Sequence, residues 1–382
     1  MSNHRSVRIL AAMALAALVV AGCATGPKPA PPAQEAAEQP LRPFPEDAWR
    51  GVHIYLSGRD DLPLLHRAIT EVLAPRGANT LILEIDYNYQ FTSHPEVGLT
   101  SGMNKQDARE LAALCRAQGI RLIPQFQCFG HQGHRPIGLL AAHPELMAPP
   151  NPDYSDPHHY HVSWNPLHPK TNEIVFALID ELIDAFQPEY FHVGLDEVML
   201  FPDDTTPFYS GESHAEVFAK AVNDLYAHVV TEKGLTMLMW GDRLIPKSYM
   251  TWSSYETSHN GTEAAIDLIP KDIIICDWHY LYMPNYRSVR LFLDKGFRVW
   301  PTSWKSPSAA LAFYRSSQRD ATDRMLGHLC SSWCGMGSYC QALLGEGLPA
   351  GSTARDAADT FQAVADEWLE GNRRAAPGAQ QP

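Results

Sequence analysis

The sequence predicts an α/β chain folded as one (β/α)8 TIM barrel, and three observations predict it. Eight short apolar runs alternate with amphipathic stretches along the chain. The runs are continuously apolar rather than alternating, as strands covered on both faces are. No GxGxxG or phosphate loop follows any run, which removes the main reason to prefer a doubly wound open sheet.

The strands read, in order, "GVHIYL" (51–56), "NTLILEID" (79–86), "IRLIPQF" (120–126), "EYFHVG" (189–194), "LTMLMW" (235–240), "DIIICDW" (272–278), "FRVWPTSW" (297–304) and "MLGHLCSSW" (325–333). Between them lie stretches with apolar residues at helical spacing, several stopped by glycine, such as "KQDARELAALCRAQG" and "KTNEIVFALIDELIDAFQP". A long loop rich in Pro and His follows the third strand, and "ARDAADTFQAVADEWLEG" closes the chain as a helix.

Residues 1–22, with Arg5 and Arg8 ahead of an apolar stretch, read as an export signal. "VAGC" is similar to the lipobox of bacterial lipoproteins, which implies a lipid on Cys23 and a membrane-anchored protein facing the periplasm or the cell exterior. The apolar stretch is shorter than the ~20 residues a spanning helix needs. Residues 23–45 are rich in Pro, Ala and Gln and read as a tether, 46–371 as the barrel, and 372–382 as a frayed tail. The formal net charge of −13, without basic clusters, argues against a nucleic-acid partner. Cys115, Cys128, Cys276 and Cys330 fall in helical or apolar strand stretches, where buried free thiols are expected. Cys330, Cys334 and Cys340 lack the paired spacing of a zinc site.

In such a barrel, chemistry sits where strands end. Strand two ends in Glu84 and Asp86, strand four in Asp196 and Glu197, and strand five in "WGDR" with Trp240 and Asp242. Strand six ends in "CDWHY" with Asp277, Trp278 and Tyr280, strand seven in Trp304 and strand eight in Trp333. A lone Trp is as readily core filler as ligand platform. Four at the ends of successive strands, facing acids, suggest a site that stacks sugar rings. His158, His159, His161 and His168 crowd the long loop without recognised metal-ligand spacing, so solvated or cleft-shaping side chains are expected and no metal.

"FHVGLDEV" resembles the strand-four signature of family 20 glycoside hydrolases, the β-N-acetylhexosaminidases. "WRGVHIYL", "NTLILEID", "GIRLIPQFQCFGHQG" and "LMWGD" are similar to the family's first, second, third and fifth strand segments, so the likeness runs over roughly residues 48–340. The resemblance implies hydrolysis of terminal β-linked N-acetylglucosamine or N-acetylgalactosamine without a cofactor. It implies Glu197 as general acid and then base, and Asp196 as the carboxylate that orients the attacking acetamide. It also implies sugar-binding or supporting roles for Arg50, His131, His192 and Trp240.

The chain departs from the family at several points. Leu195 stands between Gly194 and Asp196 where glycine is usual, which predicts a side chain beside the pocket. Cys334 follows Trp333 where an acid is usual. The seventh strand carries no tyrosine, and Tyr280 or Tyr282 is the expected substitute. Glu84, Asp86, Asp242 and Asp277 are candidate sugar-binding acids. Two further readings stay open: a two-carboxylate retaining glycosidase, in which one of these four acids is the nucleophile, and a glycan-capturing lipoprotein without turnover.

Overall fold

The computed structural model describes residues 41, 44–133, 137–150 and 161–375, with side chains to residue 370. The expectations for the signal, Cys23, most of the tether, His158 and His159 lie outside the described residues.

Eight parallel strands close into a barrel. In chain order they are β1 (Trp49–Tyr55), β2 (Thr80–Glu84), β3 (Arg121–Cys128), β6 (Tyr190–Gly194), β7 (Thr236–Trp240), β8 (Ile274–Trp278), β9 (Arg298–Ser303) and β10 (Gly327–Cys330), β10 pairing back onto β1. All eight predicted strands are present. A short antiparallel pair, β4 (Met147–Ala148) with β5 (Ser163–Trp164), lies in the long loop after β3, where no strand is expected. Each is two residues long, too short to leave a pattern in sequence.

The helices form where caps and apolar stripes specify them. In α2 (Lys105–Ala117), Asn104 accepts from the backbone of Gln106 and Asp107 while Asp107 accepts from the backbone of Asn104. In α4 (Pro169–Phe186), His168 accepts from Lys170 N. The last helix, α9 (Thr353–Ala375), runs into the stretch read as a tail.

Two packing layers result. The larger lies between strands and helices. The smaller fills the barrel with Trp49, Ile82, Ile123, Leu238, Trp240, Ile274, Trp300 and Leu329. Gly51 has a steric reason to be there: a Cβ would lie 2.1 Å from the Trp300 ring. Arg121 caps the lower end by lying over Trp49 and Tyr190. The six described cysteines are free, and all but Cys334 are buried.

Candidate active site

The upper end of the barrel opens into a cavity of about 650 Å³. Its two sides differ in chemistry. Glu84, Asp86, Gln127, His131, Asp196 and Glu197 come from β2, β3, β6 and the turns after them; Trp278, Tyr280, Trp304, Trp333 and Cys334 come from β8, β9, β10 and the segments after them. Tyr55 completes the wall.

Adjacent residues on a strand point to opposite faces, so Asp196 and Glu197 could not both face the cavity on a regular strand. The backbone leaves the strand to allow it. Gly194, Leu195 and Glu197 all adopt positive φ, at 69°, 74° and 48°. Two of these are non-glycine residues in the left-handed region, a costly conformation typical of sites held by their surroundings. Gly194 is required twice over, because a Cβ there would also lie 2.0 Å from Gln127 Oε1. Leu195 is fully buried in the larger core and does not line the cavity. The expectation of a side chain beside the pocket is therefore corrected: the turn drives Leu195 away from it.

His131 sits between the two acids, its Nε2 3.4 Å from Asp196 Oδ2 and 3.6 Å from Glu197 Oε2. His161 Nε2 lies 3.5 Å from Glu197 Oε2. Burial disfavours charge on all of these groups, but the outcome differs from group to group. Against burial, the charge and hydrogen bond of Asp196, with Glu197 and Glu84, push His131 up to about 9. Burial would raise Asp196, yet the charge and hydrogen bond of His131 hold it below the usual carboxylate range. Burial pushes Glu197 up to about 8, Asp196 and Asp242 adding to it and His131 opposing it. Near pH 7 the pair thus holds one ionised and one protonated carboxyl.

The second pair of acids is different. Burial raises Glu84 to about 8 and Asp86 well above its ordinary value. Glu84 accepts from Gln125 Nε2 at 2.8 Å and lies 2.9 Å from His53 Nε2. Burial also pushes His53 down to about 3, so the latter contact joins two neutral groups rather than an ion pair.

Asp242 lies beneath the cavity, not in its wall. Its carboxylate accepts from Glu197 N (2.9 Å), Trp278 Nε1 (3.0 Å) and the fully buried Arg243 (2.7 Å). It positions both the candidate acid and one aromatic wall residue. Tyr280 accepts from Trp333 Nε1 and stacks on Trp278.

Several expected sugar contacts are corrected by placement. Arg50 begins β1 at the opposite end of the barrel, its guanidinium bound to the carbonyls of Gly77 (2.6 Å) and Glu46 (3.0 Å). Trp240 and His192 are fully buried below the cavity and pack on each other, with Gly194 N donating to His192 Nδ1. Tyr282 is 69% exposed and lines no part of the cavity. Asp277 is buried beside His279 and Ser288.

Two cavity residues escape the sequence reading, Tyr55 and Gln127, which stand at the ends of the first and third strands, where the strand-end rule itself points. His161, expected to be solvated or cleft-shaping, is buried beside Glu197.

Residues 88–337 match the model of glycosyl hydrolase family 20, catalytic domain. The chain belongs to this family. It is 26% identical over 209 residues to a beta-hexosaminidase of Emericella nidulans, covering 50% of this chain and 31% of that protein. It is 23% identical over 177 residues to a lacto-N-biosidase of Bifidobacterium bifidum, covering 44% and 15%. The matched stretches thus span less than a third of these relatives' length. Among solved structures, the fold resembles a beta-N-acetylhexosaminidase from Bacteroides fragilis with a TM-score of 0.58 at 16% identity, covering 85% of this chain and 66% of that one. A Streptomyces plicatus N-acetyl-beta-hexosaminidase gives 0.53 at 16% identity, covering 88% and 72%.

Proposed function

We propose that the chain hydrolyses terminal β-linked N-acetylhexosamine from glycans with retention, the substrate's own acetamide being the nucleophile. One observation carries this reading: the left-handed turn brings the neighbouring carboxyls Asp196 and Glu197 into one cavity, with His131 Nε2 close to both. The acetamide oxygen attacks the anomeric carbon, the glycosidic C–O bond breaks, and Glu197 gives its proton to the departing oxygen. Asp196 stabilises the positive charge of the resulting oxazolinium ion. Water then attacks the anomeric carbon, Glu197 takes its proton, and the acetamide is released. A general acid working near neutral pH needs a raised pKa, which burial supplies to Glu197.

The two-carboxylate alternative is weaker here. Glu84 and Asp86 are both pushed towards the neutral form, and a neutral carboxyl is a poor nucleophile. The test is hydrolysis of aryl β-N-acetylglucosaminide and aryl β-N-acetylgalactosaminide with a thiazoline mimic of the oxazolinium as inhibitor. We expect turnover that the thiazoline blocks. Turnover indifferent to thiazoline would exclude acetamide participation, and sugar binding without turnover would favour a capture protein.

The residues ahead of the barrel support an exported protein anchored through a lipid on Cys23. Metabolic labelling with a fatty acid should mark the wild type and not Cys23→Ala. Among the described residues no helix is long and apolar enough to cross a membrane.

A further inference from the structure

Outside the cavity, a second cluster of ligand-type side chains stands at the rim. His94 Nδ1 and His143 Nε2 both approach Glu96 Oε1, at 3.0 and 3.2 Å. The three donor groups lie within 4.8 Å of one another. We propose that His94, Glu96 and His143 bind a divalent transition-metal cation, of the kind that takes imidazole and carboxylate ligands, with solvent completing the coordination.

The spacing fits. Tetrahedral zinc with bonds of ~2.0–2.1 Å holds its ligand atoms roughly 3.3 Å apart, close to the 3.0 and 3.2 Å at which the two imidazoles approach Glu96. The donor set of two imidazoles and one carboxylate suits such a cation better than calcium or magnesium, which prefer oxygen. On the far side of the His143 ring, Nδ1 accepts from Lys170 Nζ at 3.4 Å, and the same ammonium donates to Glu145 Oε1 at 2.7 Å. These contacts hold the ring with Nε2 turned to Glu96. Lys170 stands on the Nδ1 side of the ring rather than beside the proposed cation.

The ligands are also held in place before any cation arrives. Glu181 of α4 accepts from Thr92 N at 2.8 Å, Ser93 N at 2.5 Å and the Thr92 hydroxyl at 2.9 Å, immediately before His94. His143 follows the short helix α3 (Leu139–Ala142), whose residues Leu139 and Leu140 are buried. His94 and Glu96 belong to the loop after β2, and His143 to the loop after β3. A cation here would staple the loop that begins with Asp86 to the loop that carries His131.

Zinc chloride is the probe, added to the detergent-solubilised full chain, with the thermal unfolding midpoint and bound metal after dialysis as readouts. We expect one equivalent of zinc and a raised midpoint in the wild type and in His131→Ala, and neither in His94→Ala/His143→Ala. Should that double variant not fold, Glu96→Gln keeps the shape of the site and should lose the zinc response. No zinc-dependent shift in the wild type would overturn the proposal. So would a shift that survives loss of the rim ligands but disappears in His131→Ala, since His131, His161 and Glu197 form a second possible trio inside the cavity.

Discussion

Two buried histidines in this barrel are pushed up to about 9 against their burial, His131 by Asp196, Glu197 and Glu84 and His279 by Asp277 and Glu256, and only one of them stands in a site. His279 is sealed. Glu256 Oε2 lies 2.7 Å from its Nδ1, while Ser288 Oγ and Asp277 Oδ1 lie 2.6 and 3.2 Å from its Nε2; the nearest cavity is about 20 Å³. His131 Nε2 lies 3.4 and 3.6 Å from Asp196 and Glu197, and the residue lines a cavity of about 650 Å³. The same electrostatics thus serve two ends. Where the polar groups are packed on one another away from a large cavity, the cluster ties elements together, here the loop after β7 to β8 and α6 (Arg287–Asp294). Where a cavity adjoins the charges, they face a substrate. A shifted pKa marks a candidate site only in company with such space.

The largest expected contrast comes from breaking one acid on each side. Glu197→Gln should lower kcat/KM on an aryl N-acetylhexosaminide by about 10²–10⁴-fold, the usual worth of a general acid. Ser288→Ala, in the sealed cluster, should change it little.

Stability should show the reverse. His279→Gln leaves buried carboxyl groups without their partner and should cost about 3–5 kcal/mol in denaturant unfolding. The sign with pH follows from its raised value. The stabilisation is fully present below the unfolded value of 6.5 and is lost as pH rises through about 9. His131 contributes in the same window, so replacing either histidine should make the fall of stability with pH shallower.

Asp242→Asn probes the link between the layers. The substitution leaves Arg243 buried without its carboxylate and weakens the hold on Glu197 N and Trp278. We expect kcat to fall roughly tenfold with a smaller change in KM, because the acid is mispositioned rather than removed. An unchanged kcat would mean that this hydrogen-bond set serves stability alone. Smallest, Trp304→Ala removes one stacking face and should raise KM up to about tenfold with kcat near wild type, consistent with about 0.5–1.5 kcal/mol for an aromatic contact.

Much of this was legible in the residues. The eight apolar runs carry the barrel because strands covered on both faces need continuous apolarity. The strand-end rule brought Glu84, Asp86, Asp196, Glu197, Trp278, Trp304 and Trp333 to one cavity. It failed where a position near a strand end faces the barrel lumen rather than the mouth: Trp240 and His192 lie one layer down, a difference set by strand tilt and stagger. Arg50 shows the opposite error. It begins a strand, and the geometry of a barrel puts strand starts at the other end. Tyr282 overshot its strand into solvent. The left-handed turn through Leu195 and Glu197 is invisible to residue propensities, since only the surrounding fold holds non-glycine residues there. That turn lets two neighbouring acids share one cavity.

The central claim is that burial keeps Glu197 protonated while His131 holds Asp196 ionised, so that one donates and the other stabilises. The pH dependence of kcat/KM tests it most directly, in the wild type and His131→Asn. Activity needs Asp196 ionised and Glu197 protonated, so the wild-type profile should stay level through neutral pH and fall above about 8 as Glu197 loses its proton. Removing His131 takes away the charge that lowers both acids, so both limbs should move to higher pH in His131→Asn, while His279→Gln should leave them in place. A wild-type profile that still rises above pH 8, or limbs unmoved by loss of His131, would contradict the account.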